Sequence, residues 1–142
     1  MLNFNFVPIA QVSNKLSFLV KKGKDITKKL EKTNVVYKLQ CNKCKSSYVG
    51  ETMRALGKRV KEHQNDVKKK KFEKVVPNHC RNEHNMNWNR VKILDNETNR
   101  NKRLLSEMIN IHLQDSPINA KDDTLSLPRA YIPIINNLVH FD

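Results

Sequence analysis

Acidic residues are scarce in this chain: 14 Asp and Glu stand against 27 Lys and Arg, giving a formal charge of +13 over 142 residues. Glycine is rarer still, with three, while 38% of the residues are apolar. That balance excludes global disorder and fits a folded α/β or α+β body. Long apolar runs are missing; none approaches the ~18 residues that a membrane span requires. Met1 to Ala10 is apolar but broken by Asn3, Asn5 and Pro8, and no basic stretch precedes it, so it makes a poor secretory signal. Cysteines number only three. An odd count without a secretory signal argues against a disulfide framework and for a reducing, intracellular compartment in which cysteine holds metal.

What is present in excess is positive charge. A domain this basic repels itself and attracts polyanions by releasing their condensed counterions. Nucleic acid is the leading partner and an acidic membrane surface the second, with a merely solvated basic surface as the bland alternative. The length suits one domain with a real core.

Residues 1–33 read as a basic linker or short helix, with Lys15, Lys21, Lys22, Lys24, Lys28, Lys29 and Lys32 opposed only by Asp25 and Glu31. The core is expected over 34–135, and 136–142 as a C-terminal tail. Val35 to Leu39 and Ser46 to Gly50 are β-prone runs joined by a tight connection. A two-residue loop at Asn42 and Lys43 would set Cys41 opposite Cys44, Leu39 opposite Ser46, and Tyr37 opposite Tyr48. Directly opposed residues share a face, with Cβ atoms ~5 Å apart. Thr52 is then the expected N-cap of a helix whose Leu56, Val60, His63 and Val67 form one stripe, with Arg59 at its edge. The helix runs into Lys68, Lys69, Lys70 and Lys71, a basic end that suits the helix dipole. Asn78 to Asn89 reads as a loop and Val91 to Leu94 as a third strand. Asn101 to about Leu113 reads as a second helix, with Leu104, Met108 and Ile111 on its buried stripe and Glu107 at the border. The tail from Ser116, with Pro117, Pro128 and Pro133, is expected to be extended and docked by Tyr131, Ile132, Ile134 and Ile135. The order ββ-α-β-α predicts a small layered fold of three strands with helices packed on them.

Two constellations carry chemistry. Cys41-x-x-Cys44 and His79-x-x-x-x-His84 supply the two thiolates and two imidazoles that tetrahedral Zn²⁺ prefers. Cys80, adjacent to His79, is an alternative ligand. The stretch between the pairs is far longer than in a DNA-reading finger, so the metal would clamp the later loop onto a hairpin knuckle. The second set is Tyr37, Tyr48, Arg59, His63 and Glu107. Phosphodiester hydrolysis needs an activated water, charge stabilisation on the phosphate and usually a divalent cation on carboxylate. Each residue alone has an ordinary structural explanation; the set in this order does not.

Val35-Val36-Tyr37, Tyr48-Val49-Gly50, Arg59 and His63 on the first helix, Glu107 on a later one and Asn119 beyond it resemble the GIY-YIG nuclease domain. The cysteines between the tyrosine motifs and the later histidine pair resemble one branch, the endonuclease of Penelope-like retroelements. Gly50-Glu51-Thr52-Met53-Arg54, Arg59-Val60-Lys61-Glu62-His63, Val91-Lys92-Ile93-Leu94-Asp95 and Ile118-Asn119 followed by Leu125-Ser126-Leu127-Pro128 extend the match from Asn34 to about Ile134. The pattern departs at Val35, where the family has glycine, and at Val49, where it has isoleucine.

The resemblance implies a three-stranded antiparallel sheet with flanking helices, and a DNA endonuclease that nicks one strand. In it Tyr37 is the general base or water activator, Tyr48 positions water and phosphate, Arg59 stabilises the transition state and His63 orients a tyrosine. Glu107 holds Mg²⁺ or Mn²⁺, and Asn119 supports the site. Arg54, Lys58, Lys61 and Lys68 to Lys71 are the expected DNA contacts, the nucleus the expected location, and a reverse transcriptase the domain expected upstream in the parent element. A zinc-stabilised nucleic-acid-binding protein that no longer cuts is the alternative.

Overall fold

The computed structural model describes residues 28–139. Most of the basic stretch at 1–33, and residues 140–142, therefore lie outside the described residues. The fold is mixed α+β around a three-stranded antiparallel sheet. β1 (Val35–Gln40) lies in the middle, between β2 (Ser47–Thr52) and β3 (Lys92–Asn96). Its sequence explains the place: Val35, Val36, Tyr37 and Leu39 are apolar on both faces, and all four are fully buried. Val35, Tyr37 and Leu39 join the larger core with Leu56, Val60, Val76, Met86 and Val91. Val36 points the other way, to Val49 and Ile111.

The hairpin register differs from the expected one by two residues. Tyr37 lies opposite Gly50 and Leu39 opposite Tyr48, and the Cys41 amide donates to the Ser46 carbonyl at 3.0 Å. The loop is thus 42–45, and Cys41 does not face Cys44. The reason is tertiary. The Asn42 amide donates to the Asn85 carbonyl at 2.8 Å, the Asn87 amide to the Gln40 carbonyl at 2.7 Å, and Cys41 bridges Met86. The hairpin end is built against a later segment instead of closing on itself. Because side chains alternate with a period of two, a slip of two keeps Tyr37 and Tyr48 on one face.

The first long helix, α1 (Leu56–Lys68), starts after Ala55, not at Thr52. Thr52 ends β2, where its hydroxyl accepts from the Arg54 amide at 3.1 Å. Leu56, Val60 and His63 are buried as the periodicity predicted, with Asp66 beside them. The helix begins against the preceding segment: the Leu56 amide donates to the Lys32 carbonyl, and a Cβ at Gly57 would meet the Leu30 carbonyl oxygen at 3.2 Å.

The expected loop after Pro77 is partly helical. α2 (Val75–His79) contains Pro77 in its first turn, where a missing N–H costs little. β3 pairs with the free edge of β1, with a bulge between Val36 and Tyr37. α3 (Arg100–His112) is capped by the Asn99 side chain, which accepts from the Lys102 amide at 3.1 Å. Its most buried residues are Arg103 and Ile111, whereas Leu104 and Met108 are half-buried.

The tail is not extended. Ile118 donates to the Ser47 carbonyl and Ser47 to the Ser116 carbonyl, after which the chain turns and ends in α4 (Ile132–Val139). Pro128 and Pro133 stand at helix starts, the position that tolerates proline. Leu127 and Ile135 are the buried anchors; Ile132 and Ile134 are exposed.

Candidate active site and metal centre

Tyr37, from the middle of β1, and Tyr48, from the start of β2, are diagonal neighbours with ring centroids 6.4 Å apart. Gly50 makes this arrangement possible. A Cβ there would sit 2.7 Å from the Tyr37 oxygen and 2.9 Å from Tyr48 Cε1. A lone glycine in a β-prone run was the available signal for a close approach, and its connection to the two rings was not legible without the register.

His63 reaches across from α1. Its Nε2 lies 2.8 Å from the Tyr37 hydroxyl in a buried hydrogen bond, and its ring meets Tyr48 edge-on at 5.2 Å. Burial, followed by the Arg59 charge, holds the imidazole down at about 4, so it is neutral at physiological pH. Burial and the neighbouring Tyr48 push the Tyr37 phenol well above its ordinary range, against the pull of Arg59. The Tyr48 phenol is pushed up too, again chiefly by burial.

Arg59, one turn before His63, is half-exposed and makes a 3.1 Å ion pair with Glu62. Arg54 pairs with the same carboxylate at 2.6 Å. Glu107, half-buried on α3, has its carboxyl raised to about 7 by burial and then by the Glu51 and Asp123 carboxylates, with Arg59 opposing. Glu107 and Arg59 thus act on the same two phenols from opposite sides of the charge balance. Asn119 spends both ends of its amide on one residue: Oδ1 accepts from the Val49 amide at 3.0 Å, and Nδ2 donates to the Val49 carbonyl at 2.7 Å. It holds the outer edge of β2 beside Tyr48.

Tyr48, Arg59, His63, Asp66, Lys74 and Asp123 line a cleft of about 260 Å³, and Val75 to Pro77 of α2 form one of its walls. Tyr37 is sealed behind it, with no exposed surface. Of the lysines marked as phosphate contacts, Lys58, Lys61, Lys68, Lys69 and Lys70 are exposed. Lys71 is tied to Asp66 at 3.0 Å, as is Lys74 at 2.6 Å.

At the far end of α2 lies the second cluster. One donor atom each from Cys41, Cys44, His79 and His84 falls within 4.8 Å of all the others. Cys41 Sγ is 3.4 Å from His84 Nδ1, and Cys44 Sγ is 3.6 Å from His79 Nε2. A tetrahedral ion with bonds of ~2.3 Å to sulfur and ~2.0 Å to nitrogen has donor-to-donor edges of roughly 3.3–3.8 Å. The four residues lie close enough to hold a metal ion, and their donor set and spacing fit one. Glu83, with a left-handed φ of 60°, turns the chain so that His84 comes back towards His79. Cys80 is outside this group and packs against the main core instead; burial raises its thiol pKa.

No described helix is long and apolar enough to cross a membrane. The chain matches no family model, no curated protein and no solved structure.

Proposed function

We propose that this protein is a GIY-YIG-type, metal-dependent DNA endonuclease of retroelement origin, acting in the nucleus and nicking one strand by phosphodiester hydrolysis. The observation that carries this reading is the convergence of Tyr48, His63 and Arg59 on one cleft, with Tyr37 bonded to His63 behind it and Glu107 in the same electrostatic field. Binding alone requires no such carboxylate, since it repels phosphate.

Tyr48, at the cleft lining, orients water and phosphate. Tyr37, sealed behind the cleft, would take up the water proton through a neighbour at the cleft lining as it passes its own to the neutral His63, so that no free phenolate has to form. Arg59 faces the phosphate, exchanging part of its pairing with Glu62 for the substrate. Glu107, with Glu51 and Asp123 nearby, would hold Mg²⁺ or Mn²⁺, which supplies charge neutralisation at the phosphate. The Cys41, Cys44, His79 and His84 centre would hold Zn²⁺ in a structural role.

The test is a supercoiled-plasmid nicking assay in Mg²⁺ or Mn²⁺. Wild type is expected to nick, and Glu107→Ala and Arg59→Ala to be slower by about 100-fold or more. A non-cleaving nucleic-acid-binding protein is the second reading, favoured by the sealed Tyr37 and by Glu62 occupying both Arg54 and Arg59. Retained DNA binding with no nicking by wild type would decide for it.

The carboxyl of Glu107 adds a pH signature. To hold a cation it must lose a proton that the fold retains up to about 7. Raising pH from 6 to 8 is therefore expected to lower the Mg²⁺ concentration needed for half-maximal nicking, with a plateau above that range. A requirement that is flat across this window would remove Glu107 from the cation site.

A further inference from the structure

The sheet has a second charged feature, at the edge away from the Tyr48 cleft. Lys92 on β3 lies directly opposite Lys38 on β1, a like-charge pairing that costs the sheet stability unless something relieves it. Lys28, Lys29 and Lys32 come up against the same edge, and with Lys92 and Ile93 they line a cleft of about 490 Å³. None of these four lysines makes an ion pair among the described residues. A neighbouring cleft of about 320 Å³ shares Lys29 and is lined by Leu30, Trp88, Asn89 and Val91. Trp88 is half-buried, packed on one side against the main core, and is the only tryptophan of the chain.

Lysine on an edge strand alone protects against edge-to-edge aggregation. That purpose does not need three more lysines drawn from a separate segment, nor an indole in an adjoining apolar hollow. Cations along one wall with an aromatic platform next to them are what an unpaired polynucleotide strand requires: phosphates on the cations and a base on the ring. The bases of a duplex are stacked inside it and cannot enter a hollow of this size.

We infer that the β3-edge cleft binds single-stranded nucleic acid, with Lys28, Lys29, Lys32 and Lys92 on its phosphates and Trp88 stacked on a base. The site shares no lining residue with the Tyr48–Arg59–His63 cleft, and it holds whether or not that cleft cuts. A strand engaged here lies across the sheet from the tyrosines, as the displaced strand of an opened duplex would.

The sole tryptophan makes the test direct. The full chain carrying Glu107→Ala is titrated with an oligothymidylate of about 12 nucleotides, in buffer without chelator. Tryptophan fluorescence is expected to be quenched saturably, and quenched less by a duplex, by heparin or by anionic lipid vesicles of matched charge. Lys32→Glu with Lys92→Glu, both exposed, is expected to weaken oligonucleotide binding by about tenfold or more and to flatten its salt dependence. By anisotropy of a labelled oligonucleotide, Trp88→Leu is expected to weaken binding by about tenfold. Equal quenching by heparin, vesicles or duplex would overturn the proposal. So would oligonucleotide binding that leaves the fluorescence, or the affinities of these variants, unchanged.

Discussion

Stripping the Cys41–Cys44–His79–His84 centre with a chelator is expected to lower the thermal midpoint by roughly 10–20 °C, reversed by added Zn²⁺ and not by Mg²⁺. The expectation follows from what the four donors join. Cys41 follows β1, Cys44 sits in the hairpin loop, His79 closes α2 and His84 lies beyond a left-handed turn. Without an ion, two sulfurs and two imidazoles are left facing each other, at 3.4 and 3.6 Å, and the loop is held to the hairpin by the Asn42–Asn85 and Asn87–Gln40 backbone bonds, the Cys41–Met86 bridge and an exposed Lys43–Glu83 pair. Structural zinc contributes its binding energy to folding, on the order of 10 kcal/mol in small domains. In a domain with its own core only a few kcal/mol of that should be lost, and each is worth several degrees. Cys44→Ser should reproduce the shift, and Cys80→Ser should not. Calorimetric scans with and without chelator check this, and coincident melts would rule the metal out. If the proposed nicking holds, it should fail before the fold does, because α2 supplies a candidate ligand at one end and a wall of the Tyr48–Arg59–His63 cleft at the other.

Arg103→Met is expected to destabilise the protein by about 3–5 kcal/mol. Arg103 is 2% exposed. Its Nε donates to Glu51 at 2.6 Å and its Nη1 to the Asn34 side chain, the Glu97 carbonyl and the Thr98 carbonyl at 3.0–3.3 Å. One guanidinium thus fastens α3 to the segment before β1, to β2 and to the chain after β3. Methionine fills much of the volume but leaves Glu51 unpaired next to Glu107, which already bears its repulsion. Adding Glu51→Gln should recover much of the loss, since it removes the orphaned charge. Urea unfolding measures both effects; a loss below about 1 kcal/mol for the single variant would mean that water replaces the guanidinium easily.

What the sequence discloses and what it hides divide along physical lines. Local periodicity placed β1, β2, α1 and α3, because burial of Val35 to Leu39 and of Leu56, Val60 and His63 leaves a pattern in neighbouring residues. The Cys41–Cys44–His79–His84 cluster, close enough to hold a metal ion, was legible because such donors in pairs have few other uses. The hairpin register was not: its loop is set by Asn85, Met86 and Asn87, some forty residues further along the chain. The same is true of Arg103, which stands in a run of charged residues and reads as surface, while its partners come from three separate places. The last helix was hidden by its prolines, which mark helix starts as readily as extended chain. Asn119 was picked out by resemblance, but its two shortest bonds, to the Val49 backbone, belong to the sheet edge, with a longer one to Asp123 at 3.4 Å.

The closure of the hairpin on residues 84–87 also bears on how the chain finds its sheet. Tyr37 and Ile93 are partners in adjacent strands, and a free chain must close a loop of roughly 56 residues to bring them together. An ion that has already joined Cys41 to His84 leaves only the short stretches on either side, roughly a quarter of that length, and lowers the entropic cost of pairing β3 by about 1 kcal/mol. The metal knuckle would therefore be a shortcut in the search as well as a fastener in the finished fold, delivering β3, and with it the lysine edge, to β1 in the right order.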